Sequence, residues 1–348
     1  MNDLTKRPRK GMRKSEHDYS WKRKVVKGIR RVLLATSFIL MVGSVSASAP
    51  KVTDCLLMTA YPTLIHTKFA QRRILPEKNG DTIVFRRYSK LDTVPIPLID
   101  GRTPPGAPLS ASDIKARVSF YGNFVTITNQ VQLTVEDRVL NESARLLSQN
   151  LAQTMDEVTR DVLASTTSVL QCSNGINGST PSELTKADID AAVKVLLGND
   201  ADMISEVVTG TNAYATSPVR PAFWGYMDTD LLDDLEAVAN FQNSSNYSSQ
   251  QTVLDAEWGS TGNVRWLYTS AGSVSAAATP VYNNIIVGKE AYAVVHLKSE
   301  TGDFYVEPLG SGGSADPLHQ RGSVGWQHPF VARILNDAFM LNLMSTHS

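Results

Sequence analysis

The side chains that could carry chemistry are few and scattered. Six histidines stand at positions 17, 66, 296, 319, 328 and 347. No two have a metal-ligand spacing, and His319 and His328 are the pair that folding could bring close. His66, alone in an apolar segment, reads as a packed or exposed side chain rather than a ligand. Asp228, Asp230, Asp233 and Asp234 cluster, but they open a helical pattern, where acids suit the macrodipole. No coordinating loop glycine follows them. The glycine-rich GSGGSADP lacks a lysine and a following apolar helix, which a phosphate cradle needs. GxSxG, HExxH, Walker A and a ribose-binding GxGxxG are all missing. Cys55 and Cys172 belong to no CxxC, so neither a disulfide framework nor structural zinc is expected. No catalytic, cofactor or metal residue is assigned, and the sequence reads as that of a structural protein.

The elements around these residues are more informative. Residues 136–168 contain neither Gly nor Pro. Leu140, Ala144, Leu147, Leu151, Met155, Val158 and Val162 recur at steps of three or four, the apolar stripe of a long amphipathic helix. Arg138, Glu142, Arg145, Asp156, Glu157, Arg160 and Asp161 fill its other faces, with Asp156 and Arg160 in the favourable i, i+4 order. Before it, GDTIVFRRYSKL and ARVSFYGNFVTITNQVQL alternate like strands. Between them Pro95, Pro97, Pro104, Pro105 and Pro108 forbid regular helix and interior strand. Two strands joined by a long stiff loop cannot bury themselves and need a partner surface. In the segment before this hairpin, Leu56, Leu57, Ala60, Leu64 and Phe69 could form a helical face broken at Pro62.

After the long helix, SNGINGSTPSEL is a linker. A second helix follows, with Thr185 as N-cap, Asp188 completing a near capping box, and Gly198 as C-cap. Residues 200–320 are mixed: a strand and a helix starting near Asp228, then strands in GNVRWLYTS, NNIIVGKEAYAVVHL and DFYVEPL. The last stretch, with Trp326, Phe330, Ala332, Ile334, Phe339, Leu341 and Leu343, reads as a strand pair or meander.

The chain has 348 residues, 42% hydrophobic and 20% charged, enough for about two domains. Its formal net charge of zero hides an asymmetry. Residues 1–31 hold twelve Lys and Arg against three acids, and the remainder holds 22 basic against 31 acidic residues. A mildly acidic body has no global attraction for nucleic acid. The basic run, the short apolar VLLATSFILMVG and the small residues SVSASA have the layout of a secretory signal. Three readings stay open for residues 1–50: an export signal, a basic arm used in assembly, or sequence upstream of the true start.

The order of pieces resembles that of the HK97-like capsid fold. The segments KFAQRRILPEKNGDTIVFRRYSKL, PLIDGRTPPGAPLS and YGNFVTITNQV are similar to the N-terminal half of N4-like tailed-phage major capsid proteins. FWGYMDTDLLDDL, AEWGSTGNVRWLYT, VYNNIIVGKEAYAVV and DPLHQRGSVGWQHPFVARILNDAFM resemble the second half, so the likeness covers about residues 56–345. It implies an α+β subunit divided as follows: residues 1–50 a basic arm or mis-started segment, 51–75 an N-terminal arm, and 76–122 an extended loop. Residues 123–184 and 321–348 would form a peripheral domain with spine helix 136–168, and 185–320 a mixed α/β axial domain. The spine helix is then expected to seat its stripe on the strands near Phe330 to Leu343.

The implied function is a major capsid protein that self-assembles into the head of a tailed phage or prophage around double-stranded DNA. The subunit would sit in the virion after assembly in the host cytoplasm. Its implied partners are further copies in hexamers and pentamers, a portal, and scaffolding or decoration proteins. DNA would be contacted only non-specifically, with no membrane in the mature particle. Arg72, Arg73, Arg86, Arg87, Pro104 and Pro105 are the expected inter-subunit contacts, the arginines facing a neighbour's acids in preference to DNA. Lys78 and Lys90 read as surface lysines, not crosslinking groups. Alternatives are an encapsulin-type nanocompartment shell and, further off, an exported surface protein.

Overall fold

Two sheets with strands of 14 residues at their centres organise this chain. The computed structural model describes residues 62–347 apart from 96, 98–99, 104–105, 135–138, 209–214, 248–252, 276–278, 300–301 and 312–315. At 132, 134, 206–208 and 215–219 only the backbone is described. Segment 1–50, Leu56, Leu57, Ala60, Pro104 and Pro105 therefore lie outside the described residues.

In chain order the elements are β1 (Gln71–Leu75), β2 (Thr82–Tyr88), β3 (Ala111–Arg117), β4 (Ser119–Thr128), α1 (Asn129–Thr134), α2 (Val139–Ala164), β5 (Val169–Gln171), α3 (Lys186–Gly198), β6 (Ile204–Val208) and β7 (Ala215–Asp228). Then come α4 (Leu232–Ala237), β8 (Phe241–Asn243), β9 (Glu257–Thr261), β10 (Val264–Thr269), β11 (Ser273–Ser275), β12 (Val281–Val287), β13 (Tyr292–Leu297), β14 (Asp303–Glu307), β15 (Arg321–Ile334) and β16 (Met340–Ser345).

The nine-stranded sheet runs β5-β16-β12-β7-β10-β9-β8, with β11 on β12 and β6 on β7. Its central strands are apolar on both sides, which explains the unbroken runs FWGYM and IIV. Phe223, Met227, Trp266, Ile286 and Leu343 face α3 and the turn at Leu231 and Leu235. Trp224, Tyr226, Leu267, Ile285 and Val287 face the opposite way, toward Leu163 of α2 and Tyr292 and Val294 of β13. Gly225 lies opposite Trp266, and a Cβ there would come within 2.3 Å of the indole ring. Only glycine lets that ring lie flat on the neighbouring strand.

The second sheet runs β1-β13-β15-β14, with β4 also paired to β15. The spine helix α2 has 26 residues, a rod of roughly 39 Å. Leu147 and Leu151 pack with Val324, Trp326 and Ile127, while Leu163 shares a second buried cluster with Phe330, Ala332 and Met340. The helix thus seats chiefly along β15, not on β16. Leu140, expected in the stripe, is 43% exposed, because the buried face turns to Ser143, Leu147, Leu151, Asp156, Thr159 and Leu163.

Asp156 was expected on the solvated face, paired with Arg160. It is buried instead. It accepts hydrogen bonds from the His66 backbone N–H (2.9 Å) and the Thr67 N–H (3.3 Å), and pairs with His66 Nδ1 at 2.7 Å. Arg160 pairs with Asp161 and donates to the carbonyl of Ala271. The Tyr292 hydroxyl donates to the His66 carbonyl at 2.6 Å and meets the Tyr226 hydroxyl at 2.9 Å. One carboxylate on the spine thereby holds residues 62–70 as a turn leading into β1, where a helical face had been expected. Asp156→Ala should cost about 3 kcal/mol, since it orphans buried donors. It should also expose residues 62–70 to protease, and a urea midpoint together with limited proteolysis checks both.

Thr185 and Asp188 form the expected capping box, and Asp188 also accepts from the N–H groups of Ser173 (3.0 Å) and Gly175 (2.6 Å). The helix ends one residue beyond the expected C-cap. Gly198 is its last residue, Asn199 caps it, and Asp200 takes the positive φ of 57°. The acidic segment gives a 3-10 turn, Thr229–Leu231, before the short α4. Asp228 caps that turn and also accepts from the Gly272 N–H at 3.1 Å.

The expected boundary near residue 320 is crossed in both directions. β13 and β14, expected with residues 185–320, pair with β15. β16, expected with β15, pairs with β12 and β5 in the other sheet. The turn at Asp337–Phe339 redirects the chain between them. A strand's neighbour is chosen by long-range packing, which composition does not encode.

Candidate assembly interface

Among the described residues, the hairpin and the open face of the second sheet carry clusters of exposed apolar side chains. β2 and β3 pair from Thr82↔Arg117 to Tyr88↔Ala111 and, among the described residues, join no other strand. Their root is anchored: Leu75, Val118 and Val295 are buried, with Ile83, Phe85, Leu297 and Val331 packed around them. Beyond it the burial stops. Tyr88 is 60% exposed and Leu109 69%, and Leu91 and Val94 are also exposed. The Ser89 N–H donates to the Ser110 carbonyl at 2.9 Å, closing the ladder before the proline-rich segment.

The expected contact arginines do not form one cluster. Arg72 and Arg73 lie on β1, which is the edge of its sheet; Arg72 is half-buried and Arg73 exposed. Arg86 and Arg87 lie on β2. Arg86 donates to both oxygens of Asp113, its cross-strand partner, at 2.9 and 3.2 Å, and this guanidinium holds the Asp113 carboxyl below its ordinary range. Arg87 donates to the Asn336 side chain at 2.8 Å. Both hairpin arginines therefore have partners within their own subunit. Lys90 pairs with Asp200 at 3.1 Å, an exposed pair worth little by itself. Arg117 lowers the Asp81 carboxyl in the same way at the hairpin base.

A second surface went unread in the sequence. Phe120, Gly122 and Phe124 share one face of β4, because alternate residues of a strand point the same way. Phe124 stands opposite Gly325, and Gly325 opposite Tyr305 of β14. Together they wall a groove of about 380 Å³ on the face away from α2. Phe124 is 69% exposed. A Cβ on Gly325 would stand 2.9 Å from that of Phe124, and one on Gly122 2.9 Å from the Trp326 carbonyl. Phe120 and Phe124 had been read as strand composition; their i, i+4 spacing beside Gly122 is the signal that would have marked an open aromatic face. All five residues of β14 are exposed as well.

Among the described residues no cluster of three or more His, Cys, Asp or Glu could hold a metal, and no helix is long and apolar enough to cross a membrane. Cys172 is buried, and burial pushes its thiol up to about 12, so it is no nucleophile. His328 meets His296, not the expected His319, because β15 pairs with β13.

No family model matches the sequence, and no curated protein matches it. Solved structures do. The chain is similar to the capsid of Ralstonia phage GP4, with a TM-score of 0.63 and 10% identity over 88% of this chain and 98% of that one. It is also similar to the capsid of cyanophage Pam1 (TM-score 0.59, 14% identity, 89% and 99% covered). A third match is the head of Helicobacter pylori bacteriophage KHP40 (TM-score 0.58, 12% identity, 80% and 87% covered). The fold is therefore the α+β, HK97-like fold of phage capsid subunits.

Proposed function

We propose that this chain is the major capsid protein of a tailed phage or prophage, building an icosahedral head around double-stranded DNA and residing in the virion. The observation that carries the reading is the combination of this fold with a hairpin arm whose outer apolar side chains are exposed among the described residues. A two-stranded arm of this kind gains stability only on another surface. In a closed shell each subunit is engaged several times, so weak contacts suffice. The order of sequence segments supports the N4-like group within tailed phages. Arg72, Arg73, Arg86, Arg87, Pro104 and Pro105 remain the proposed contacts with neighbouring copies, the arginines against acids. Residues 76–122 serve as the extended loop and α2 as the spine of the peripheral domain. Portal, scaffolding or decoration proteins are the further partners, with DNA touched only non-specifically by an acidic body.

The test is expression of the chain followed by negative-stain electron microscopy, with the particle subunit's N-terminus sequenced. Closed shells or capsomers are expected. A monomer that never assembles at high concentration, with or without partner proteins, would overturn the proposal. An encapsulin-type container would also give shells, but with a cargo protein rather than DNA in particles made from the native gene cluster.

A further inference from the structure

Two histidines that the assembly reading leaves unused meet inside the second sheet. His296 on β13 and His328 on β15 are both buried, and their Nδ1 and Nε2 atoms lie 2.8 Å apart. A hydrogen bond of that length needs one proton between the two nitrogens. Two neutral rings satisfy this, as does one neutral and one charged ring. Two imidazolium rings do not, because both nitrogens then carry hydrogen and both rings carry charge.

The surroundings oppose that charge. Phe330 packs on His296 with ring centroids 5.2 Å apart. Tyr121 of β4 is the strand partner of His328, and Ile74 of β1 that of His296. Arg72 on β1 acts against a proton on His296. Asp303 on β14 favours one on His328, but it also lies 4.0 Å from Lys298, which pairs with Glu77 at 3.5 Å. The residues on either side of His296 are Val295 and Leu297, which pack in the cluster that roots the hairpin.

We propose that His296 and His328 form an acid-sensitive lock at the root of the hairpin: with a single shared proton it closes the β13–β15 seam, and with both rings protonated it opens that seam and frees the arm. The proposal does not depend on what the subunit assembles into. Burial lowers both imidazoles, His296 to about 4, from an ordinary 6.5. The sign follows from linkage. Well above pH 6.5 neither the folded nor the unfolded chain protonates these rings, and the lock is at full strength. Between 6.5 and about 4 the unfolded chain takes up protons that the folded sheet refuses, so stability falls as pH falls.

Hydrogen exchange on the full chain, corrected for intrinsic rates, tests this. Protection of β2 and β3 should fall roughly tenfold or more between pH 6.5 and 4, while β7 and β10 stay protected. The double variant H296Q/H328Q, whose side-chain amides can hydrogen-bond without titrating, should flatten that fall. PH-independent protection in the native chain, or an unchanged fall in the variant, would overturn the lock. Should the variant not fold, ring-proton titration by NMR on the native chain decides. At least one ring titrating below 6 supports the proposal, because the doubly protonated pair is then disfavoured, and both rings titrating at their ordinary value would overturn it.

Discussion

Arg265→Met should destabilise the subunit by about 3–5 kcal/mol, the cost of breaking a buried ion pair from one side. Arg265 is only 2% exposed, and its Nε and Nη2 donate to the two oxygens of Glu257 at 2.7 and 2.5 Å. The same carboxylate accepts from the Tyr247 hydroxyl and the Leu254 N–H, each at 3.1 Å. The guanidinium also lies over the Trp224 ring, 4.4 Å from its centroid. Methionine replaces the stem and some of that packing but leaves a carboxylate buried without its cation. Against a total stability of about 5–15 kcal/mol, this would be a large share. Removing both charges with R265M/E257L should cost much less than the two single changes together, because no uncompensated charge is left. Urea unfolding of the four proteins gives the cycle. A single-variant loss below about 1 kcal/mol would mean that water reaches Glu257 and that the pair is not the sealed site described.

That pair also shows what a sequence can and cannot disclose. Glu257 and Arg265 are eight apart, on two strands joined by a turn with Gly262 at φ +58°. The strand around WLYT was legible, since β-branched and aromatic runs act locally, whereas Gly262 was read into the strand and lies in the turn before it. The pairing was not legible, because an irregularity between Trp266 and Leu267 shifts the register so that Glu257 faces Leu267. The Thr185–Asp188 box was legible for the same local reason. Asp156 was misread because helical periodicity assigns it to the polar face; only the arrival of His66, 90 residues away, makes burial of a carboxylate tolerable. The His296–His328 pair and the interleaving of β13, β14 and β16 between sheets share that cause. Each depends on which strand lies beside which, and many registers satisfy the same alternation. Of the surface, the proline-rich arm was visible from composition, whereas the groove of Phe120, Phe124 and Tyr305 needed β4, β15 and β14 to be laid side by side.

Deleting residues 95–108 should separate folding from assembly. The strands β2 and β3 close at Ser89 and Ser110 and are rooted by Val118, Ile83 and Phe85, all of which lie outside the deleted segment. Shortening the connection between the strands lowers its closure entropy slightly, by roughly 1 kcal/mol. The subunit should therefore keep its melting temperature or gain a little. Assembly is different. The segment carries five prolines, which restrict the free chain and so lower the entropy lost when another surface orders it. Losing even about 1.4 kcal/mol at a contact weakens it tenfold. A shell repeats the contact in every copy, so the loss multiplies where a single dimer would tolerate it. The expected result is a monomer or small oligomer with an unchanged circular dichroism melt and no closed particles by electron microscopy. Normal shells from the deleted chain would remove the loop from the assembly interface and leave the exposed Tyr88, Leu91 and Val94 without a partner. An unfolded product would place the loop in the subunit's own core, against the exposure of the residues flanking it. The two failures are told apart by the melt alone, which makes the deletion a sharper test than any single arginine. Arg86 and Arg87 already have partners inside the subunit, so changing either would disturb the arm and its contacts together.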